Sequence, residues 1–496
     1  MLHQNKNKVI GRISLRSLGH DERLIRKHFL KKIHISRRIV VHLTTDFTGI
    51  HLRNLTGTRF RLCSVLVLMV FVAASFGTVA RNGDPVVNEP PDANSFVVRN
   101  VRVFDGQRVL ERANVVVRAG RITAIGRGRP PADLPVVDGS GRTLLPGFID
   151  AHAHVLSETA LRNALRFGVT TQLDMFTKLD FMQSHRAQRE RLTETELSDL
   201  YSAGQPVTSA GGMGTQFGIP FPTITGPQEA SAFVRARLAE GSDYIKILYE
   251  PEAGIVTTIS AQTLSAVVAA AHAQGALVVV HVTSLKGARE AVAAGADGLA
   301  HIFGDETIDD ALVRKMAARK MFVTPTLSLF AAISGVGLGP ELAADPRISP
   351  FLTANQRAAL TAPPPGKGGP MASYLSRFNI KTASENVRRL RAAGVRILAG
   401  TDTPNLAAHG VSLHGELLLL TRAGLTPSEA LKAATRGPAE AFKLADRGRI
   451  ATGARADLVL VDGNPLADIN ATRAIVQVFK NGYDVRRTTG ETAHPN

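Results

Sequence analysis

The chain is nearly without cysteine: the only one in 496 residues is Cys63. Everything after it can form no disulfide and offers no thiolate, so any metal must be held through nitrogen and oxygen. Charge is absent from residues 62–80, and a strong basic excess is absent from most of the chain. The formal net charge is +17, but residues 1–61 carry 14 Lys/Arg against 3 Asp/Glu, which leaves only +6 on residues 81–496. That balance is ordinary for an enzyme and gives no basic footprint, which argues against nucleic acid as a partner.

Residues 1–57 are basic and without a clear period, and are expected to lie outside the fold. Over 58–80, Arg59 and Arg61 precede the apolar run Leu62–Ala74 and a small-residue end. This pattern reads as a secretory signal peptide, hence export to a periplasmic or extracellular space. A membrane anchor formed by 62–80 is the alternative, since that stretch nearly spans a bilayer. Residues 81–95, with Gly83, Pro85, Pro90 and Pro91, read as a linker.

Short alternating strands follow at 96–99, 101–104, 114–117 and 121–125, punctuated by Asp105-Gly106 and Ala119-Gly120. About fifty residues are too few for a domain, and matching strands recur only at 457–461 and 475–479. The two ends, 96–143 and 448–490, are therefore expected to pair into one small β-sandwich. Between them, 144–447 alternates strands with helices, the pattern of parallel α/β folds. Strand-like runs fall at 144–151, 169–175, 206–209, 244–248, 276–282, 298–302, 321–327 and 396–401. Helical periodicity covers 228–240, 260–274, 284–294, 308–319, 380–393 and 427–436. Eight such units imply a (β/α)8 TIM-like barrel, with a doubly wound sheet as the alternative. The long gap over 330–379, with Pro363-Pro364-Pro365, is expected to be a lid or specificity loop.

In such a barrel the working side chains stand at the C-terminal ends of strands. Those ends supply His152 and His154, Lys246, His281, His301 and Asp402. On a strand, His152 and His154 fall on one side. Lys246, flanked by Ile245 and Ile247, is an ammonium that is costly to bury unpaired. Tyr249, His409 and His414 follow the strand ends and are candidate substrate contacts. The Gly211-Gly212-Met213-Gly214 loop reads as a close-approach turn; it lacks the Lys-Ser/Thr of a phosphate-binding loop.

With Pro146-Gly147-Phe148-Ile149-Asp150-Ala151-His152-Ala153-His154, the lysine strand, the two later histidine strands, Gly400-Thr401-Asp402 and the tail Gly453-Ala454-Arg455-Ala456-Asp457-Leu458-Val459, the chain resembles the amidohydrolase superfamily. The resemblance runs from about Phe96 to about Val485 and is strongest to the imidazolonepropionase-like and Xaa-Pro dipeptidase-like branch. It implies that His152, His154 and Asp402 hold one divalent ion and His281 and His301 a second. It also implies that Lys246 bridges them as a CO2-derived carbamate. Zn2+ is the first choice, with Mn2+, Co2+ or Fe2+ as alternatives. Two ions sharing a water would supply hydroxide near neutral pH, and Asp402 would move the proton during hydrolysis of an amide or peptide-like C–N bond. The implied partner is a small amide, a dipeptide or an N-acyl amino acid, with a homo-oligomer left open. The alternative within the superfamily is a mononuclear imidazolonepropionase-like cyclic amide hydrolase or deaminase.

Overall fold

The structure, a computed structural model, describes residues 93–489 apart from 219, 367 and 369. The expected extension, signal segment and most of the linker lie outside the described residues. Among those described, no helix is long and apolar enough to cross a membrane.

The ends of the chain do pair. Strands β1 (Phe96–Phe104), β2 (Val109–Arg118), β3 (Arg121–Gly126), β4 (Val136–Asp138) and β5 (Arg142–Pro146) come from the N-terminal side. The last three strands, β14 (Leu458–Asp462), β15 (Ile475–Lys480) and β16 (Tyr483–Asp484), come from the C-terminal side. They form one sheet of eight strands, ordered β16-β15-β14-β5-β1-β2-β3 with β4 on β1, where two stacked sheets were expected. The sheet bends back on itself, because the Ile122 amide donates to the Ala454 carbonyl and the Gly453 amide to that of Ile122. Its inner face buries Val98, Val101, Val103, Val115, Val117, Leu458 and Leu460.

Leu144, Leu145 and Pro146, expected to start the first barrel strand, belong instead to β5 and pair with β14. The break is at Gly147, where a Cβ would come within 2.2 Å of Thr170 Oγ1, so only glycine fits. Beyond it run β6 (Phe148–Ala153), β7 (Val169–Asp174) and β8 (Asp199–Ser202), a three-stranded parallel sheet. A second parallel sheet holds β9 (Ile245–Leu248), β10 (Val278–His281), β11 (Gly298–Ala300), β12 (Phe322–Thr324) and β13 (Arg396–Ile397). The third strand was expected at 206–209. Regular pairing falls earlier, at β8, and only Val207 of that run makes a bridge, to Ile247.

This is a TIM-barrel-like α/β arrangement, with main-chain bonds across both gaps between the two parallel sheets. On one side the Val207 amide donates to the Lys246 carbonyl and the Leu248 amide to that of Val207. On the other, the amides of Thr401 and Asp402 donate to the His152 carbonyl, and that of His154 to the Thr403 carbonyl. Alternation sorts the side chains. Val278, Val280, Leu299, Val323 and Ile397 pack beneath helices such as Ala261–Ala273 and Leu285–Ala294. Val279, Ala300, Phe322 and Leu398 join Ile149, Ala151 and Leu173 in an inner layer. Ser260, Ser284 and Asp309 each cap the helix that follows, accepting from the amide three residues on. The segment 330–379 is built of short helices. Part of it packs Leu342, Ile348, Leu352 and Leu360 against Phe167 and Val411.

Candidate metal centre

All six strand-end residues meet at one end of the parallel strands. Lys246, His281, His301, His154 and Asp402 line a cavity of about 90 Å3 together with Phe176, Met213, Gly214, Gln216, Leu248 and Asn405. His152 stands behind them, its ring 4.6 Å from that of His301, which is in turn 4.6 Å from that of His281. Asp402 Oδ1 is 3.0 Å from Nε2 of both His152 and His154. The other oxygen, Oδ2, accepts from Asn405 Nδ2 at 3.0 Å.

Two of these residues owe their direction to unusual backbone. On β11, Ala300 points inward, so plain alternation would turn His301 outward. A φ of +73° at His301 turns it back, and its Nδ1 lies 2.7 Å from Thr326 Oγ1. Thr326 and Asp402 are themselves left-handed, with φ of +51° and +58°. Left-handed non-glycine residues carry a conformational cost and concentrate where function over-determines the backbone.

Burial dominates the electrostatics of the cluster. Lys246 is 1% exposed and its Nζ has no hydrogen-bond partner. Burial pushes its pKa down to about 7, against the pull of Asp402 and Asp174. Burial, then the Lys246 charge, lowers His152 to about 3, and burial and His281 hold His301 well below the usual imidazole range. Burial works to raise Asp402, but His152 and His154 outweigh it and keep the carboxyl well below its ordinary value. Neutral imidazoles beside an ionised carboxylate are what a divalent ion requires. The ligand atoms of His152, His301 and Asp402 all lie within 4.8 Å of one another, and Nδ1 of His152 and of His154 are buried without partners. The donor set therefore fits a divalent metal.

The three expected substrate contacts do not line the cavity. Lys246 and Leu248 face inward, so Tyr249 faces out, and its hydroxyl donates to Glu290 on the helix Leu285–Ala294. His409 is buried against Gln172 Oε1 (2.9 Å) and Thr403 Oγ1 (3.1 Å). His414, in the first turn of the helix Val411–Arg422, bridges the Phe167 carbonyl and Thr472 Oγ1. What sequence reading missed is the cavity wall: Phe176, Met213, Gln216, Leu248 and Asn405. Strand parity would have found Leu248, and the spacing of three from Asp402 would have found Asn405. The Gly211–Gly214 turn does approach closely, since a Cβ on Gly214 (φ +95°) would sit 3.0 Å from Leu248 Cδ1.

A TIM-barrel-like chain carrying histidines, a lysine and an aspartate at the C-terminal strand ends has the architecture of a metal-dependent hydrolase class. The chain belongs to the amidohydrolase family, whose model matches residues 143–485. It is similar to the ochratoxinase of Aspergillus niger, 24% identical over 320 residues, which are 57% of this chain and 59% of that one. The chain thus spans less than two thirds of that relative's length. The imidazolonepropionase of Streptomyces griseus subsp. griseus is 26% identical over 375 residues, 71% of this chain and 86% of that one. Among solved structures, a Xaa-Pro dipeptidase with methionine in its active site superposes with a TM-score of 0.65 at 21% identity, covering 79% of this chain and all of that one.

Proposed function

We propose that this protein is a metal-dependent hydrolase of an amide or peptide-like C–N bond in a small molecule, working at the mouth of a closed (β/α)8 barrel. The main-chain bonds on both sides of the two parallel sheets support closure. One observation carries the reading: Lys246 Nζ, buried and unpaired, faces a cavity ringed by His154, His281, His301 and Asp402. An ammonium there is costly, and its lowered pKa leaves much of it a neutral amine near pH 7. A neutral amine adds CO2, forming an N–C bond and releasing a proton. The resulting carbamate replaces a buried cation with anionic oxygen donors. His152, His154 and Asp402 would hold one ion and His281 and His301 a second, with the Lys246 carbamate shared between them, Zn2+ being the first choice.

When bound, the ions lower the pKa of water and polarise the scissile carbonyl. Asp402, ionised and oriented by Asn405, takes a proton from the attacking water and returns it to the departing nitrogen. Phe176, Met213 and Leu248 form an apolar wall for the acyl or side-chain portion, and Gln216 supplies a polar contact. A one-ion, imidazolonepropionase-like centre is the second reading, because the tight triad His152, His301 and Asp402 does not include His281. Metal analysis separates the two: two ions per chain supports the bridged centre and one supports the alternative. Activity is tested on the protein supplied with Zn2+ and bicarbonate against dipeptides, N-acyl amino acids, lactams and aryl amides. Hydrolysis of none of them with a full metal complement overturns the substrate class. Export is proposed from residues 58–80 and is checked by mass spectrometry of the mature N-terminus; an intact Met1 on the exported protein overturns it.

A further inference from the structure

Glu250 is a buried carboxylate for which the reaction above has no use. It lies two residues past Leu248 on the inward parity of the chain leaving β9, and it is 2% exposed. Its Oε1 is 3.0 Å from His281 Nε2, an ion-pair contact outside hydrogen-bond geometry, and both atoms are buried with no hydrogen bond. Its Oε2 accepts from Thr283 Oγ1 at 2.9 Å. The buried Tyr374, on the helix Pro370–Leu375 of the 330–379 insertion, lies beside Thr283 and Glu250. Nearby, Arg377 donates to the Glu252 carbonyl and pins the same segment to the same loop.

We propose that Glu250 is the positioning residue for His281: with an ion bound at Nδ1, its adjacent carboxylate accepts the Nε2 proton and so fixes the tautomer and ring angle. Thr283 holds the other oxygen of Glu250, and Arg377 ties the insertion to the loop that carries it. This rests on the two-ion reading, in which His281 belongs to the second ion. A carboxylate bonded to the far nitrogen of a ligand imidazole raises its basicity and holds its orientation.

The test is Zn2+ affinity of the full-length protein, measured by competition with a chelator, for wild type, Glu250→Ala, Glu250→Gln and Thr283→Val, with melting temperatures alongside. Glu250→Ala is expected to weaken one of the two ions by roughly 10–100-fold and leave the other unchanged. Glu250→Gln, whose amide oxygen still accepts from Nε2, should lose less, and Thr283→Val should fall between wild type and Glu250→Ala. Wild-type affinity for both ions in Glu250→Ala overturns the proposal. So does an equal loss for both ions in the Ala and Gln variants alike, with a matching drop in melting temperature. A wild-type protein that binds no Zn2+ overturns the two-ion reading itself and this inference with it.

Discussion

At the scale of single residues, the centre keeps charges where solvent cannot reach them, and that sets what substitutions do. Asp402→Asn preserves shape and one oxygen donor but removes the proton acceptor. Turnover should fall roughly 10²–10⁴-fold, with the ion content by metal analysis unchanged. Near-wild-type turnover would remove Asp402 from the proposed role. Lys246→Met tests the cost of the buried amine. In metal-free protein the substitution replaces an unpaired polar group by an apolar one of similar length, so the melting temperature should rise while activity is lost. A fall in melting temperature would mean that Lys246 has a partner in solution. That these residues gather at one cavity was legible in the sequence because histidine, lysine and aspartate are uncommon at buried strand ends. Their neighbours were not, since Phe176, Met213 and Leu248 look like any core residue until the cavity is closed around them.

At the scale of elements, the centre depends on how helices are anchored behind it. Glu416, fully buried on the helix Val411–Arg422, accepts from the amides of Leu327 (3.0 Å) and Ser328 (2.7 Å). It thereby caps the helix Leu327–Ile333, whose preceding residue, Thr326, braces His301. Burial raises the Glu416 carboxyl to about 7 in the fold. The native state then holds a proton that the unfolded chain releases near its ordinary value of 4.5, so wild type loses stability as pH rises from about 4.5 to about 7. Glu416→Gln cannot ionise. Its melting temperature relative to wild type should improve steadily across that window, and a flat difference would show that Glu416 is not raised. Several helices were readable from their period, as at 380–393 against the observed Ile380–Ala392. The third strand was not, because Asp199-Leu200-Tyr201-Ser202 lacks an apolar run and is held by pairing with β7.

At the scale of the whole molecule, the C-terminal strands are tied to the parallel strands by buried charge. Lys480, at the end of β15, is fully buried, with its Nζ 3.1 Å from Asp199 of β8 and 3.2 Å from Asp457. Arg447 reaches the same Asp199 oxygen at 2.8 Å. Removing one partner from such a network leaves carboxylates under-compensated, so Lys480→Met should cost about 3–5 kcal/mol by denaturant unfolding. The transition should remain single if the sheet and barrel-like part unfold together. A loss under about 1 kcal/mol would show that the arginine alone neutralises Asp199.

The amino-acid sequence by itself determined which polar residues stand at the strand ends, the alternation of strands and helices, and the pairing of distant segments, because residue chemistry and hydrophobic period are local properties. Only the tertiary structure decided that the terminal strands make one bent sheet, that Tyr249, His409 and His414 turn away from the cavity, and that Glu250 backs His281. Those outcomes depend on strand parity past a bulge or a left-handed residue, and on which buried polar group meets which partner. Neither is fixed until residues far apart in the chain are brought into contact.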